Sequence, residues 1–369
     1  IAQQGRQGPM VMGAMILGML AASRTANASS MSAANAVMVG GQAAAIQSQL
    51  NFSRDMEREA DRVGYGVMTE AGYEAQGFVT MFEKLQQAAR LNDNGSFPYL
   101  RSHPMTTERI ADAQARQQLL PARAAVATTA THAMMSARAQ VLAKPGVDVL
   151  RTIAAQANAT TLLSASKAKQ AGVLYGATLA EMEQRNFAVA RQHLARLQSL
   201  SGLELSALRV VRLLAAELAL MSGDAAQAVG LLEPKVAVLA SHDRATRMQL
   251  ARSRVATQKP AQGKVAASEL SLWLNQHPRD ASAWLLQASA YELQGDSLRA
   301  IRAQAEARAM ELDYGAALDR FKAAQLLAHQ MASEGKLDRA GHMEASIIDA
   351  RLRELENLRR EQALERGIN

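Results

Sequence analysis

Alanine returns at a near-regular interval through the second half of this chain. Ala190, Ala228, Ala266 and Ala300 lie 38, 38 and 34 residues apart. A period in that range marks stacked two-helix units, each too small to bury its apolar face alone. The unit around Ala300 is the fullest: Trp284, Ala288, Tyr291, Gly295, Ala300 and Ala307 read large, small, large, turn, small, small. Small positions let the two helices of a hairpin approach closely, and large ones fill the space between hairpins. Pro278 falls where the preceding unit should end.

Three weaker copies precede it. Ala266, Leu270 and Trp273 match the second helix of one, Gly223-Asp224 with Ala228 and Leu232 match another, and Phe187, Ala190, Leu194 and Leu197 a degenerate first. The large–small spacing resembles that of the tetratricopeptide repeat. A further helical stretch runs from about Ala316 to Ala328 and on to Leu337, and a charged helix from about Ser346 offers a solvated end face that would cap a solenoid. An ordinary helical bundle is the competing architecture. Solenoids present a concave face to extended polypeptide, although no charge clamp stands out along these helices.

Composition supports an all-α fold. Half of the residues are hydrophobic, only 4% are aromatic, and eight prolines in 369 residues leave room for long helices. Lys and Arg outnumber Asp and Glu by 41 to 34, with a pI near 9.8. That excess is spread along helices with few aromatics for base stacking, so nucleic acid is not the expected partner. An anionic envelope surface, and with it peripheral membrane association, or acidic client segments suit it better. There is no cysteine, which excludes thiolate metal sites, disulfides and thiol nucleophiles. The apolar run from Pro9 to Ala22 is too short to span a bilayer, which takes about 20 residues.

The first half reads differently. Residues 1 to 50 are Met-rich and then small-residue-rich, a composition that suits either a loosely packed core hairpin or a lid over a groove. Ser53 to Gly64 (SRDMEREADRVG) then reads as a helix with Glu57 and Asp61 four residues apart on one face. Such a pair serves a solvated surface, or one carboxylate that binds a metal and a second that orients a neighbouring ligand. An amphipathic helix follows over about Ala75 to Leu91, then a polar loop from Asn92 to Phe97. In LRSHPMTTERIADAQAR, Pro104 fixes an extended turn after His103, and a helix should begin near Glu108. His103 itself sits in a polar loop.

Together, the Ser53–Gly64 stretch and the downstream RSHPMTTERIADA resemble the gluzincin metalloproteases of peptidase family forty-eight. In that family an HExxH helix supplies two zinc histidines and the catalytic glutamate, ExxAD supplies the third ligand, and an HPxxxxR segment follows. The resemblance makes Glu57 the third zinc ligand and Asp61 the carboxylate that orients an upstream histidine ring. His103 and Arg109 fall on the HP…R segment as auxiliary groups. Zn2+ is the implied cofactor, lowering the pKa of its bound water to about 7 and polarising a scissile carbonyl. His103 would either fill the open coordination position as a latch or hydrogen-bond the oxyanion.

One departure is large. None of the seven histidines (103, 132, 193, 242, 277, 329, 342) lies four residues from another, so these residues contain no HExxH. The expectation is that the motif lies upstream of Ile1. The Lys144-Pro145-Gly146 punctuation suggests domains at 1–145 and 146–369: the C-terminal part of a gluzincin domain, then a tetratricopeptide-repeat solenoid. A repeat array directly after such a domain is similar to the periplasmic members of the family. It implies a zinc endopeptidase and chaperone acting on unfolded or stalled outer-membrane β-barrel proteins and docking on the machinery that assembles them, with a signal peptide upstream. The alternative is a repeat scaffold that binds envelope proteins without cleaving them. A membrane-embedded protease of the same family is disfavoured, since no stretch here can span a bilayer.

Overall fold

A computed structural model describes residues 54–90, 107–118, 127–233 and 243–367. Every regular element among these residues is a helix. The expectations for residues 1 to 50 and for His103 lie outside the described residues. The chain divides into two compact units, Ile1–Ala127 and Thr128–Asn369.

In the first unit, α1 spans residues 54–70, α2 Ala75–Arg90 and α3 Thr107–Gln118. The turn between α1 and α2 closes on Gly72 at φ +86, a conformation that a side chain would strain. One small core holds the three helices: Tyr65 from α1, Phe78, Val79 and Phe82 from α2, and Ile110 and Ala113 from α3. Tyr65 meets Phe78 edge-on with ring centroids 5.5 Å apart, and Phe82 lies 4.5 Å beyond Phe78.

The second unit opens with α4 (Ala130–Leu142), α5 (Val147–Ala155), α6 (Lys167–Glu183) and α7 (Phe187–Gln198). It continues through α8 (Leu205–Met221), α9 (Ala225–Leu232), α10 (Arg244–Ala256) and α11 (Pro260–Gln276). The remainder is α12 (Ala281–Glu292), α13 (Ser297–Met310), α14 (Tyr314–Ser333) and α15 (Arg339–Gly367). From α8 onward each helix packs on the next, and α8, α10 and α12 also touch in sequence. This nearest-neighbour order is that of a helical repeat array. The periodic alanines lie in its interior: Ala190, Ala228 and Ala266 are fully buried and Ala300 nearly so.

Three of the hairpin turns share one chemistry. A residue with positive φ (Gly223, Gly295, Leu312) is followed by an aspartate whose carboxylate accepts the backbone N–H three residues on. The left-handed residue ends one helix and the aspartate caps the next, at Asp224, Asp296 and Asp313. Asp243 and Asp280 cap α10 and α12 in the same way.

Two expectations need correction. The second unit begins at Thr128, not at residue 146. Pro145-Gly146 is only the turn from α4 to α5, and α4 is locked into the second unit. Arg138 reaches the Tyr175 hydroxyl on α6 at 3.1 Å and both carboxylate oxygens of Glu217 on α8 at 2.8 and 3.1 Å. Gly172 lets α6 approach so closely that a Cβ there would stand 2.9 Å from that of Ala133. The closing helix also begins earlier than Ser346: Asp338 accepts the Gly341 N–H at 2.7 Å and starts α15 at Arg339.

Candidate functional site

Glu57 and Asp61 do share one face of α1, as their spacing requires. The group that organises them is Arg109, from the first turn of α3. Its Nε and Nη2 donate to Asp61 Oδ2 and Oδ1, each at 2.7 Å, and its Nη1 lies 3.0 Å from Glu57 Oε2. The guanidinium carbon stands 5.2 Å from the centre of the Phe82 ring on α2. All three helices therefore meet on this one side chain.

Burial sharpens the arrangement. Arg109 is 9% exposed, with Glu57 at 15% and Asp61 at 18%. A guanidinium this dry needs anionic partners, and its planar fork suits a two-pronged carboxylate. The aromatic face beneath it adds a cation–π contact. Nearby charges are more exposed: Arg58 bridges Asp55 on its own helix and Glu108 on α3, and Arg62 pairs with Glu59.

The sequence placed Glu57 and Asp61 in one motif and Arg109 in another, and the fold brings all three together. The Arg109–Asp61 pairing was not anticipated. The signal available was a basic residue in a motif segment downstream of a carboxylate pair, with Phe82 in the helix between them. Asp61, expected to orient a histidine, has both oxygens engaged by Arg109. A carboxylate carries about four lone-pair sites, so each oxygen retains capacity for a further donor.

Among the described residues no group of three or more His, Cys, Asp or Glu side chains could hold a metal ion. A zinc site takes three or four such ligands. Glu57 and Asp61 offer two carboxylates, and these residues by themselves do not complete a zinc site. No described helix is long and apolar enough to cross a membrane.

Residues 2–117, which include the Glu57–Asp61 helix and Arg109, match the model of Peptidase family M48. Part of the chain is similar to beta-barrel assembly-enhancing proteases. A Vibrio cholerae serotype O1 protein described in those words is 28% identical over 196 residues, covering 53% of this chain and 38% of that protein. The Escherichia coli K12 beta-barrel assembly-enhancing protease is 35% identical over 81 residues, 22% of this chain and 16% of its own length. The Shigella flexneri protein of that name matches to the same extent. The chain thus spans well under half the length of the curated relatives it matches.

Proposed function

We propose that this chain is part of a zinc-dependent endopeptidase and chaperone of the bacterial periplasm, acting in quality control and assembly of outer-membrane β-barrel proteins. Glu57 is the zinc ligand that these residues contribute. Asp61 orients a neighbouring ligand, and Arg109 fixes the position of both carboxylates. The two zinc histidines and the catalytic glutamate come from an HExxH motif outside these 369 residues. His103, on the HP…R segment, is an auxiliary group, as a latch on the metal or a donor to the oxyanion. The helical array of the second unit is a tetratricopeptide-repeat solenoid that holds unfolded or stalled clients and docks on the assembly machinery.

One observation carries the reading. The two segments that resemble the family's ligand and HP…R motifs, about fifty residues apart, are joined in space by the buried Arg109 clamp on Glu57 and Asp61. An isolated pair of surface carboxylates has no need of a guanidinium at 9% exposure.

The test is elemental analysis of the full-length native protein. About one zinc per chain is expected, falling well below that in Glu57→Ala with the fold retained by circular dichroism. Absence of zinc after reconstitution would overturn the peptidase reading and leave a repeat-based binding scaffold. A His103→Ala variant separates the two roles of that residue: faster proteolysis marks a latch, slower proteolysis an oxyanion donor, and unchanged rates remove both.

A further inference from the structure

Midway along the helix array, the start of α10, the last turn of α11 and the start of α12 line an open cleft of about 580 Å3. Its lining includes Arg244, Trp273, His277, Pro278, Arg279 and Ser282. The volume lies in the range of ligand sites, and the walls are held before anything binds. The His277 ring stacks on the Trp273 indole with centroids 3.8 Å apart, and the Arg247 guanidinium stands 5.6 Å from that indole. The Trp284 indole N–H donates to the Pro278 carbonyl at 2.9 Å and pins the turn.

The charges of the cleft do not balance. Asp280 is its sole carboxylate among the lining residues, and it is saturated. It accepts Nε and Nη2 of Arg244 at 2.7 and 2.8 Å, the Trp273 indole N–H at 3.0 Å and the Ala283 N–H at 3.2 Å. These donors hold its carboxyl down at about 2, so it remains an internal counter-ion of Arg244. Arg279 is exposed and forms no ion pair among the described residues, and Ser282, also exposed, lines the same cleft. Ser282 also lies in the first turn of α12, where backbone N–H groups lack helical acceptors. Three residues further along the same helix face, Leu285 is 42% exposed. Cationic and donor groups therefore run directly into apolar surface.

We propose that this cleft binds an extended acidic peptide, its carboxylate on Arg279 and Ser282 and an adjacent apolar side chain against Pro278 and Leu285. The Trp273–His277 stack is the wall along which the peptide lies. Preformed walls reduce the ordering cost of binding, and the charge match sets selectivity more than affinity. The inference deepens the client-binding part of the proposed function and is independent of its metal part.

The probe is a fluorescein-labelled, end-blocked peptide of about a dozen residues alternating Asp or Glu with Leu, read by anisotropy on the full chain with EDTA present. The chelator separates the two readings, because binding or its failure then says nothing of zinc. Binding that weakens with added salt is expected, with the Asn/Gln counterpart of the peptide bound far less. Arg279→Glu should weaken binding about tenfold or more, because repulsion replaces attraction. Arg279→Lys should hold within about threefold, since the charge remains and only the fork is lost. Four results overturn the proposal: equal binding of the acidic and amide peptides, no effect of Arg279→Glu, no effect of replacing the peptide leucines by serine, or equal displacement by an oligonucleotide of the same charge. The last would mark a general anion surface.

Discussion

Arg109 grips Asp61 with two parallel N–H···O bonds of 2.7 Å while its third nitrogen reaches Glu57 at 3.0 Å. One buried guanidinium thus sets the positions of two carboxylates a helical turn apart. Removing it leaves two half-buried anions facing each other across that turn. Arg109→Ala should destabilise the first unit by about 3 kcal/mol, the low end of the range for breaking a buried pair by deleting one partner. Arg109→Lys should recover only part of that, since an ammonium cannot make the two-pronged contact. Denaturant unfolding of the full chain, followed by hydrogen exchange in residues 54–118, measures both. A wild-type midpoint in Arg109→Ala would show that the clamp contributes nothing.

Asp280 predicts an acid sensitivity. Arg244, first of all, with Trp273 and the Ala283 N–H, lowers its carboxyl to about 2 in the folded state, against about 3.9 in an unfolded chain. A lowered folded-state pKa means the unfolded chain takes up the proton first as pH falls. The contribution is complete above about pH 4, is lost progressively as pH falls towards about 2, and amounts to about 2 kcal/mol. Asp280→Asn should flatten the stability profile in that window while leaving its slope above pH 5 unchanged. Urea titrations at several pH values read the difference.

Leu312 carries backbone strain. It sits at φ +62 in the turn between α13 and α14, where the equivalent turns at 223 and 295 use glycine. Its side chain is exposed, so little packing is lost on truncation. Leu312→Gly should stabilise the protein by about 0.5–1 kcal/mol, and Leu312→Val should destabilise it, because a β-branched residue is poorly accommodated there. Thermal unfolding of the two variants side by side tests the sign.

The closing helix α15 is docked by buried acids as well as by Ile348 and Leu355, both fully buried. Glu306 on α13 accepts Nε and Nη2 of Arg351 at 2.8 and 2.7 Å with its side chain 7% exposed. Glu344 on α15 reciprocates with Arg302 on α13. Glu306→Ala should cost about 2–3 kcal/mol, discounted for the partial exposure of Arg351. The cost should appear locally, as faster hydrogen exchange over residues 339–367, before the global midpoint moves. Exchange that accelerates evenly through the second unit would mean that α15 does not open separately.

Much of this architecture was written in local pattern. Scarce prolines and aromatics pointed to helix, the only regular structure among the described residues, and the alanine spacing located four positions that are all buried. Gly223-Asp224 and Gly295 marked turns because a left-handed residue needs no Cβ. The four-residue spacing of Glu57 and Asp61 put them on one helix face, since that follows from the pitch of the helix alone. These are features within reach of a few neighbouring residues.

What lies between distant segments was decided by packing. Nothing in the residues around Pro145-Gly146 shows that α4 is tied by Arg138 to Tyr175 and Glu217, so a turn there resembled a boundary. Nothing in either motif shows that Arg109 is buried against Phe82 and must neutralise both Glu57 and Asp61. The cleft beside Trp273 likewise joins the starts of α10 and α12 to the end of α11. The amino-acid sequence determined which residues are charged, small or helix-breaking. Which charges lose their water, and so must find partners across the fold, is settled only when the helices close on one another.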